Sequence, residues 1–343
     1  MTSNFLDRHS LLAVFMGLAV PLLVVGRVAL AVAVASAFIC FLTLERRDEH
    51  WRSLLKAARS PLGILIIATF VLWLPNVAVS PYPLRSLEAA ARSIAVVGVL
   101  HLLWSSLHDD ERLIELCLKT LIASSVGAAG IAILAMTAFP ELYWGLHLKG
   151  WRSTPLMSEL KSFGAAGSLL IPVLLWAGYK LRGRWLIAAI VSAAGLLALV
   201  WMTYNRSAIA GFLAMAVAIT LAVALSPGKR LLKIVLWALL AVVLVSVLAW
   251  LKETRTNPRL EGQWPLPVWL IDYQRQAVWG FTLDLIGESP WVGWGINTIN
   301  FVPGADTKIP GISALTLIPS HPHNWFLESL AETGIVGTLP LLA

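Results

Sequence analysis

Apolar residues arrive in blocks long enough to cross a bilayer, separated by short polar breaks, and this pattern constrains the fold more than any other feature of the chain. A hydrocarbon core about 30 Å thick takes roughly 17 to 25 apolar residues of helix per crossing. Candidate spans on that scale run Leu11 to Val25, Val28 to Leu44, Leu62 to Val79, Leu87 to Ser105, Leu113 to Phe139, Phe163 to Tyr179, Trp185 to Met202, Ser207 to Leu225, Leu231 to Leu251, and from Trp325 onward. With 58% hydrophobic and only 13% charged residues among 343, one water-soluble core has no room for so much apolar surface. The expected fold class is all-α, a polytopic membrane helical bundle of at least ten spans. Gly26-Arg27 alone separates the first two, which predicts a tight helical hairpin or a broken helix. The first span runs into the second without a convincing small-residue cleavage site, so it reads as a retained anchor. Cys40 and Cys117, each embedded in apolar sequence, read as small hydrophobes.

Lys and Arg cluster in alternate loops: Arg46, Arg47, Arg52, Lys56 and Arg59; Arg112 and Lys119; Lys180, Arg182 and Arg184; Lys229, Arg230 and Lys233. The positive-inside rule makes these loops cytoplasmic, together with the N-terminus. Residues 1–251 then hold nine transmembrane helices, 252–322 form one long outer loop with an amphipathic helix, and 323–343 begin a further span. Within the loop, Trp269 to Ile286 reads as a helix at headgroup level, with aromatic and polar residues mixed. Pro290, Gly293 and Gly295 predict turns or close backbone approach.

The candidate chemistry lies on the outer side. His323 stands where the loop hands over to the last apolar stretch, and the positive end of that helix favours a neutral imidazole suited to accepting a proton. Arg206 stands between two apolar spans with almost no loop to solvate it; Tyr204, Asn205 and Ser207 flank it, and the next helix starts there with free N–H groups. A guanidinium beside a helix N-terminus makes an anion site, although snorkelling to headgroups is the plain alternative. Arg275 on the interfacial helix draws weight from its spacing to Trp279. Arg85, Glu88 and Arg92 share one helical face, either as an internal ion pair or as ligand contacts. Lys149, Arg152 and Lys161 flank a loop and read as solvated charge or glycan contacts. Gly334 and Gly337 read as devices for close helix approach. No acidic or His cluster on the outer side has metal-ligand spacing, so no metal is expected there. No phosphate-binding glycine pattern occurs on the inner side, so ATP hydrolysis is not expected; no cofactor and no nucleic acid partner are expected either.

Three stretches together resemble the bacterial superfamily of O-antigen ligases, O-antigen polymerases and protein O-oligosaccharyltransferases. They are Asn205-Arg206-Ser207-Ala208 opening a span; Arg275-x-x-x-Trp279 with Glu288-Ser-Pro290-x-x-Gly293-x-Gly295; and His323-Asn324 followed by Gly334-x-x-Gly337. The resemblance covers about the C-terminal half and looks most like an O-antigen ligase. It implies a GT-C-like bundle, twelve spans in the family pattern, with a periplasmic helical loop module in the bacterial inner membrane. It makes His323 the essential histidine and gives Arg206 and Arg275 to the lipid diphosphate. Asn324, Tyr204, Asn205, Trp279, Arg85, Arg92, Arg152 and Lys161 are expected as secondary contacts to diphosphate or glycan. The implied donor is undecaprenyl diphosphate-linked O-antigen, the acceptor is lipid A-core, and the reaction needs no metal or cofactor. Family members continue with further helices after the glycine pair, whereas this sequence stops at Ala343 in an apolar run.

A polymerase or protein-directed transferase would use the same three stretches, and the acceptor separates them. A transporter of lipid-linked glycans would also want outer cations, yet it should carry charge through mid-membrane, where these spans are nearly devoid of it.

Overall fold

The computed structural model describes residues 7–141, 156–203, 230–255 and 271–342, with scattered positions between 208 and 220 and residue 268. In chain order its helices are α1 (Arg8–Ala19), α2 (Arg27–Leu42), α3 (Arg47–Ala58), α4 (Pro61–Val79), α5 (Pro83–Ser105), α6 (Glu111–Thr137), α7 (Leu156–Leu181), α8 (Arg184–Met202), α9 (Arg230–Arg255), α10 (Tyr273–Glu288) and α11 (Trp325–Thr338), with strands β1 (Lys308–Ile309) and β2 (Ile312–Thr316). Several starts follow from capping chemistry. The side chains of Asp7, Ser60, Asp110, Asp272 and Asn324 accept from the first free N–H groups of α1, α4, α6, α10 and α11, and Pro61 occupies the first turn of α4, where no N–H is needed.

Five helices among the described residues are long and apolar enough to cross a membrane, or six if the pair α2 and α3, bent by 111°, is one span. The described residues thus account for five or six of the ten spans expected. The first apolar block is a 12-residue helix ending in a 3-10 turn at Pro21, because proline lacks the N–H that would continue it. Most of the block from Ser207 to Leu225 lies outside the described residues. Within α9 only Lys233–Ser246 counts as an apolar helix, and α11 has 14 residues with a break at Gly334. The spans that remain present apolar side chains outward: Ile64, Ile67, Val71 and Leu74 of α4 are all exposed, a surface suited to lipid.

The chain forms two compact units, Met1–Trp51 with Leu100–Leu240, and Arg52–Val99 with Ala241–Ala343. In the first, α6, α7 and α8 pack around Ile122, Leu160, Phe163, Leu174, Leu196 and Leu199. Ala128, Ala129, Ala132 and Ala189 thin the contact surfaces so that the helices approach closely. Gly17 of α1 meets α6 where a side chain would strike the Cys117 carbonyl, 2.6 Å from an added Cβ.

In the second unit α11 packs on α4 and α10. A small core of Leu285, Ile299, Val302, Ala305, Ile318 and Ala331 holds α10 to the segment that follows it. That segment departs from the all-α expectation: β1 and β2 pair antiparallel around Pro310-Gly311, with Gly311 at φ 76°. A Pro-Gly pair between β-branched apolar residues is the local signal of such a hairpin. The helix expected over Trp269 to Ile286 is seen as α10; its apolar residues are spread around it, and Gln276, Val278, Thr282 and Leu285 are buried.

Candidate functional site

The second unit is built by threading one stretch of backbone into a broken helix. At Gly334 (φ 63°, ψ −172°) α11 loses its own hydrogen-bond ladder, and Pro290 to Gly295 supplies the missing partners. Ile335 N–H donates to the Pro290 carbonyl at 2.8 Å and Val336 N–H to that of Trp291 at 3.1 Å. In the other direction Trp294 N–H donates to the Ala331 carbonyl at 2.8 Å and Gly295 N–H to that of Glu332 at 3.0 Å. Such contact excludes side chains. A Cβ on Gly334 would lie 2.3 Å from the Trp291 backbone, and one on Gly293 would lie 2.5 Å from that of Glu332. The two glycine motifs are therefore halves of one joint. Gly334 is the break itself, and only Gly337 matches the packing role read from sequence, beneath the Trp73 ring edge.

Asn76 staples this joint to α4. Its side-chain amide donates to the Val292 carbonyl at 2.6 Å and to the Glu332 carbonyl, while its oxygen accepts from Ile296 N–H at 3.1 Å. The residue is 1% exposed, so all three bonds form away from water. Trp73, one turn earlier, donates its indole N–H to the Gly337 carbonyl at 3.1 Å.

On this frame α10 meets the turn that carries His323. The Trp279 indole N–H donates to the Pro322 carbonyl at 2.9 Å, which pins the residue before His323. Arg275 lies one turn before Trp279 on the same side of α10. Its backbone N–H donates to the Asp272 carboxylate at 2.9 Å, and its Nε stands 4.0 Å from the other carboxylate oxygen, the limit of an ion pair. The guanidinium is thus steered by Asp272 while keeping donors for another anion. His323 is exposed and adopts φ 56°, a left-handed conformation that non-glycine residues adopt mainly at turns and functional sites. Its ring stands 4.4 Å, centroid to centroid, from that of His321 in an edge-on arrangement.

The other expected site residues fall differently. Asn324 caps α11, accepting from Phe326 N–H at 3.1 Å and Leu327 N–H at 3.3 Å. Arg85 donates from Nε to the Asn297 carbonyl at 2.6 Å and lies over the Phe301 ring at 4.3 Å, which fastens it to the turn after Gly295. Arg92 pairs with Glu88 at 2.5 Å on the exposed face of α5. Lys161 is exposed near the start of α7. Tyr204, Asn205, Arg206 and Arg152 lie outside the described residues, next to Thr203 at the end of α8 in the first case.

The threaded joint, the pinned turn and their glycine spacing are where comparison with known families bears. Residues 196–342 match the O-antigen ligase family model. No curated protein matches the chain. The O-antigen ligase match takes in Arg206, Arg275, Trp279, His323 and the glycine joint, and leaves Arg85, Arg92, Arg152 and Lys161 outside it. It supports glycosyl transfer of the O-antigen ligase and polymerase type in a membrane protein acting on lipid-linked polysaccharide.

Two carboxyls of the O-antigen ligase region went unnoticed in the sequence. Glu332 on α11 is partly buried, and Glu328 lies one turn earlier on the same helix. Asp272 was also missed as a partner of Arg275, although an Asp three residues before it is a capping signal. Among the described residues, no three His, Cys, Asp or Glu side chains gather into a metal-binding group.

Proposed function

We propose that the chain is an O-antigen ligase that moves a preassembled glycan from undecaprenyl diphosphate to a sugar hydroxyl of lipid A-core, at the periplasmic face of the bacterial inner membrane. The observation that carries this reading is the Trp279 to Pro322 bond, which ties the helix bearing Arg275 to the turn bearing His323 within the region of the family match.

The acceptor hydroxyl is a weak nucleophile, so His323 takes its proton as the oxygen attacks the anomeric carbon. The bond from that carbon to the diphosphate oxygen breaks, and undecaprenyl diphosphate leaves. Arg275 stabilises the charge gathering on the leaving group, and Arg206, outside the described residues, is the second cation that the family resemblance supplies for this role. One displacement inverts the anomeric centre, with no metal or cofactor. Asp272 holds Arg275 in register, and the strained turn at His323 keeps the imidazole at the surface where the acceptor arrives.

The test offers one labelled lipid-linked glycan to purified protein with lipid A-core, with a second lipid-linked glycan, or with an acceptor protein, each with and without a chelator. Product on lipid A-core that survives the chelator, with inverted anomeric configuration, is the expected result. Product only on the second glycan or only on protein overturns the ligase reading in favour of a polymerase or a protein O-oligosaccharyltransferase. Chelator-sensitive transfer overturns the metal-free mechanism.

A further inference from the structure

A second feature of α10 has no part in that chemistry. The side of the helix opposite Arg275 and Trp279 faces the β1–β2 hairpin across an open trough of about 330 Å³, within the usual range for ligand pockets. Tyr273, Gly280, Phe281 and Asp284 repeat at helical spacing along one wall, and Thr307 and Lys308 line the other. Gly280 lines the trough on the same side of α10. Gly304, at φ 87°, lets the Phe281 ring edge lie close, since a Cβ there would come within 3.3 Å of it.

Gln276 at the rim donates to the Ile271 carbonyl at 2.9 Å, while other polar groups of the trough have no partner among the described residues. Among the described residues, the Asp284 carboxylate and the Lys308 ammonium line the same space yet make no ion pair with each other or with another side chain. Nor do the Tyr273 and Thr307 hydroxyls hydrogen-bond to any described group. Aromatic faces beside separated donors and acceptors, on a solvent-open trough, match a sugar ring, which offers an apolar C–H face and a rim of hydroxyls. A lipid tail would leave the charges without partners, and a lone anion would meet Asp284.

We propose that the trough between α10 and the hairpin is a carbohydrate subsite that holds sugar residues of a glycan chain away from the reacting bond. It rests on the glycosyl-transfer reading above for the class of substrate, and it adds a hold on the chain about one helix diameter, ~10 Å, from Arg275. Rings stack on Tyr273 and Phe281, Lys308 donates to hydroxyl or carboxylate oxygens, and Asp284 accepts from hydroxyls. Grip at a distance from the reacting centre tightens binding of a long glycan and leaves the chemical step on a short one unchanged.

The test uses the full chain in nanodiscs and two lipid-free probes prepared from the encoding strain's own lipopolysaccharide by mild acid: the long O-polysaccharide fraction and the bare core oligosaccharide. Binding is read by equilibrium dialysis for wild type and for the double variant Asp284→Ala, Lys308→Ala, whose changes are both at exposed positions. Loss of charge-assisted bonds should weaken the long fraction by about ten-fold or more. With lipid-linked donors, KM should rise by a similar factor for a many-repeat glycan, with kcat on a single-repeat donor unchanged. Weakened binding of the core oligosaccharide alone assigns the trough to the acceptor's sugars and still supports a carbohydrate subsite. Equal binding of both probes by wild type and variant overturns it, whatever the transfer activity. Probe binding that depends on these side chains in a protein with no transferase activity supports the subsite while removing the ligase reading.

Discussion

The indole N–H of Trp279 donates to the carbonyl of Pro322 at 2.9 Å across 43 residues of sequence, and through that bond the helix carrying Arg275 fixes the turn carrying His323. Neither residue need touch substrate for the bond to matter, because it ties the helix of the Arg275 guanidinium to the turn of the His323 imidazole.

Trp279→Phe keeps the ring and removes the donor. One neutral hydrogen bond is worth about 0.5–1.5 kcal/mol, so transfer should fall roughly three- to ten-fold while the melting temperature moves little. Paired rate and thermal-unfolding measurements on purified protein check this; a rate equal to wild type removes Trp279 from the positioning of His323.

Asn76→Leu leaves the Ile296 N–H without its partner and the Val292 carbonyl without its donor, inside the unit. Groups orphaned in that way cost about 1–3 kcal/mol each, so the variant should be destabilised by about 2–4 kcal/mol and lose yield in detergent. A melting curve decides it.

Gly334→Ala should be among the most damaging small substitutions. The added Cβ meets the Trp291 backbone at 2.3 Å, where neither partner can give way, and φ is 63°. A loss of about 3 kcal/mol or more is expected. Gly127→Ala in α6, with nothing within 4 Å of the new methyl, should be neutral or stabilising by about 0.5–1 kcal/mol. Comparable melting temperatures for the two variants would contradict the threaded joint.

What the sequence disclosed and what it withheld divide along physical lines. Pro61–Val79, Pro83–Ser105, Glu111–Thr137 and Arg184–Met202 were legible because lipid demands long unbroken apolar runs, and a run is a local property. The first two blocks were less legible: Pro21 ends the first helix, and the second is followed by a helix bent from it by 111°. Arg275, Trp279 and His323 drew notice through local spacing, and Asp272 and Asn324 carried readable capping signals. The roles of Asn76 and Gly334 were not readable. The partners of Asn76 lie 216 and 256 residues away, and the break at Gly334 is held open only by the carbonyls of Pro290 and Trp291. Pro310-Gly311 did announce a hairpin, but an all-helical expectation left it unused.

The most direct test of the account compares wild type with His323→Ala in a purified assay, following both the binding of lipid-linked glycan and its transfer to lipid A-core. The account predicts that the variant binds the donor as wild type does, since the cations are intact, and forms no product. Transfer at the wild-type rate by His323→Ala would contradict it.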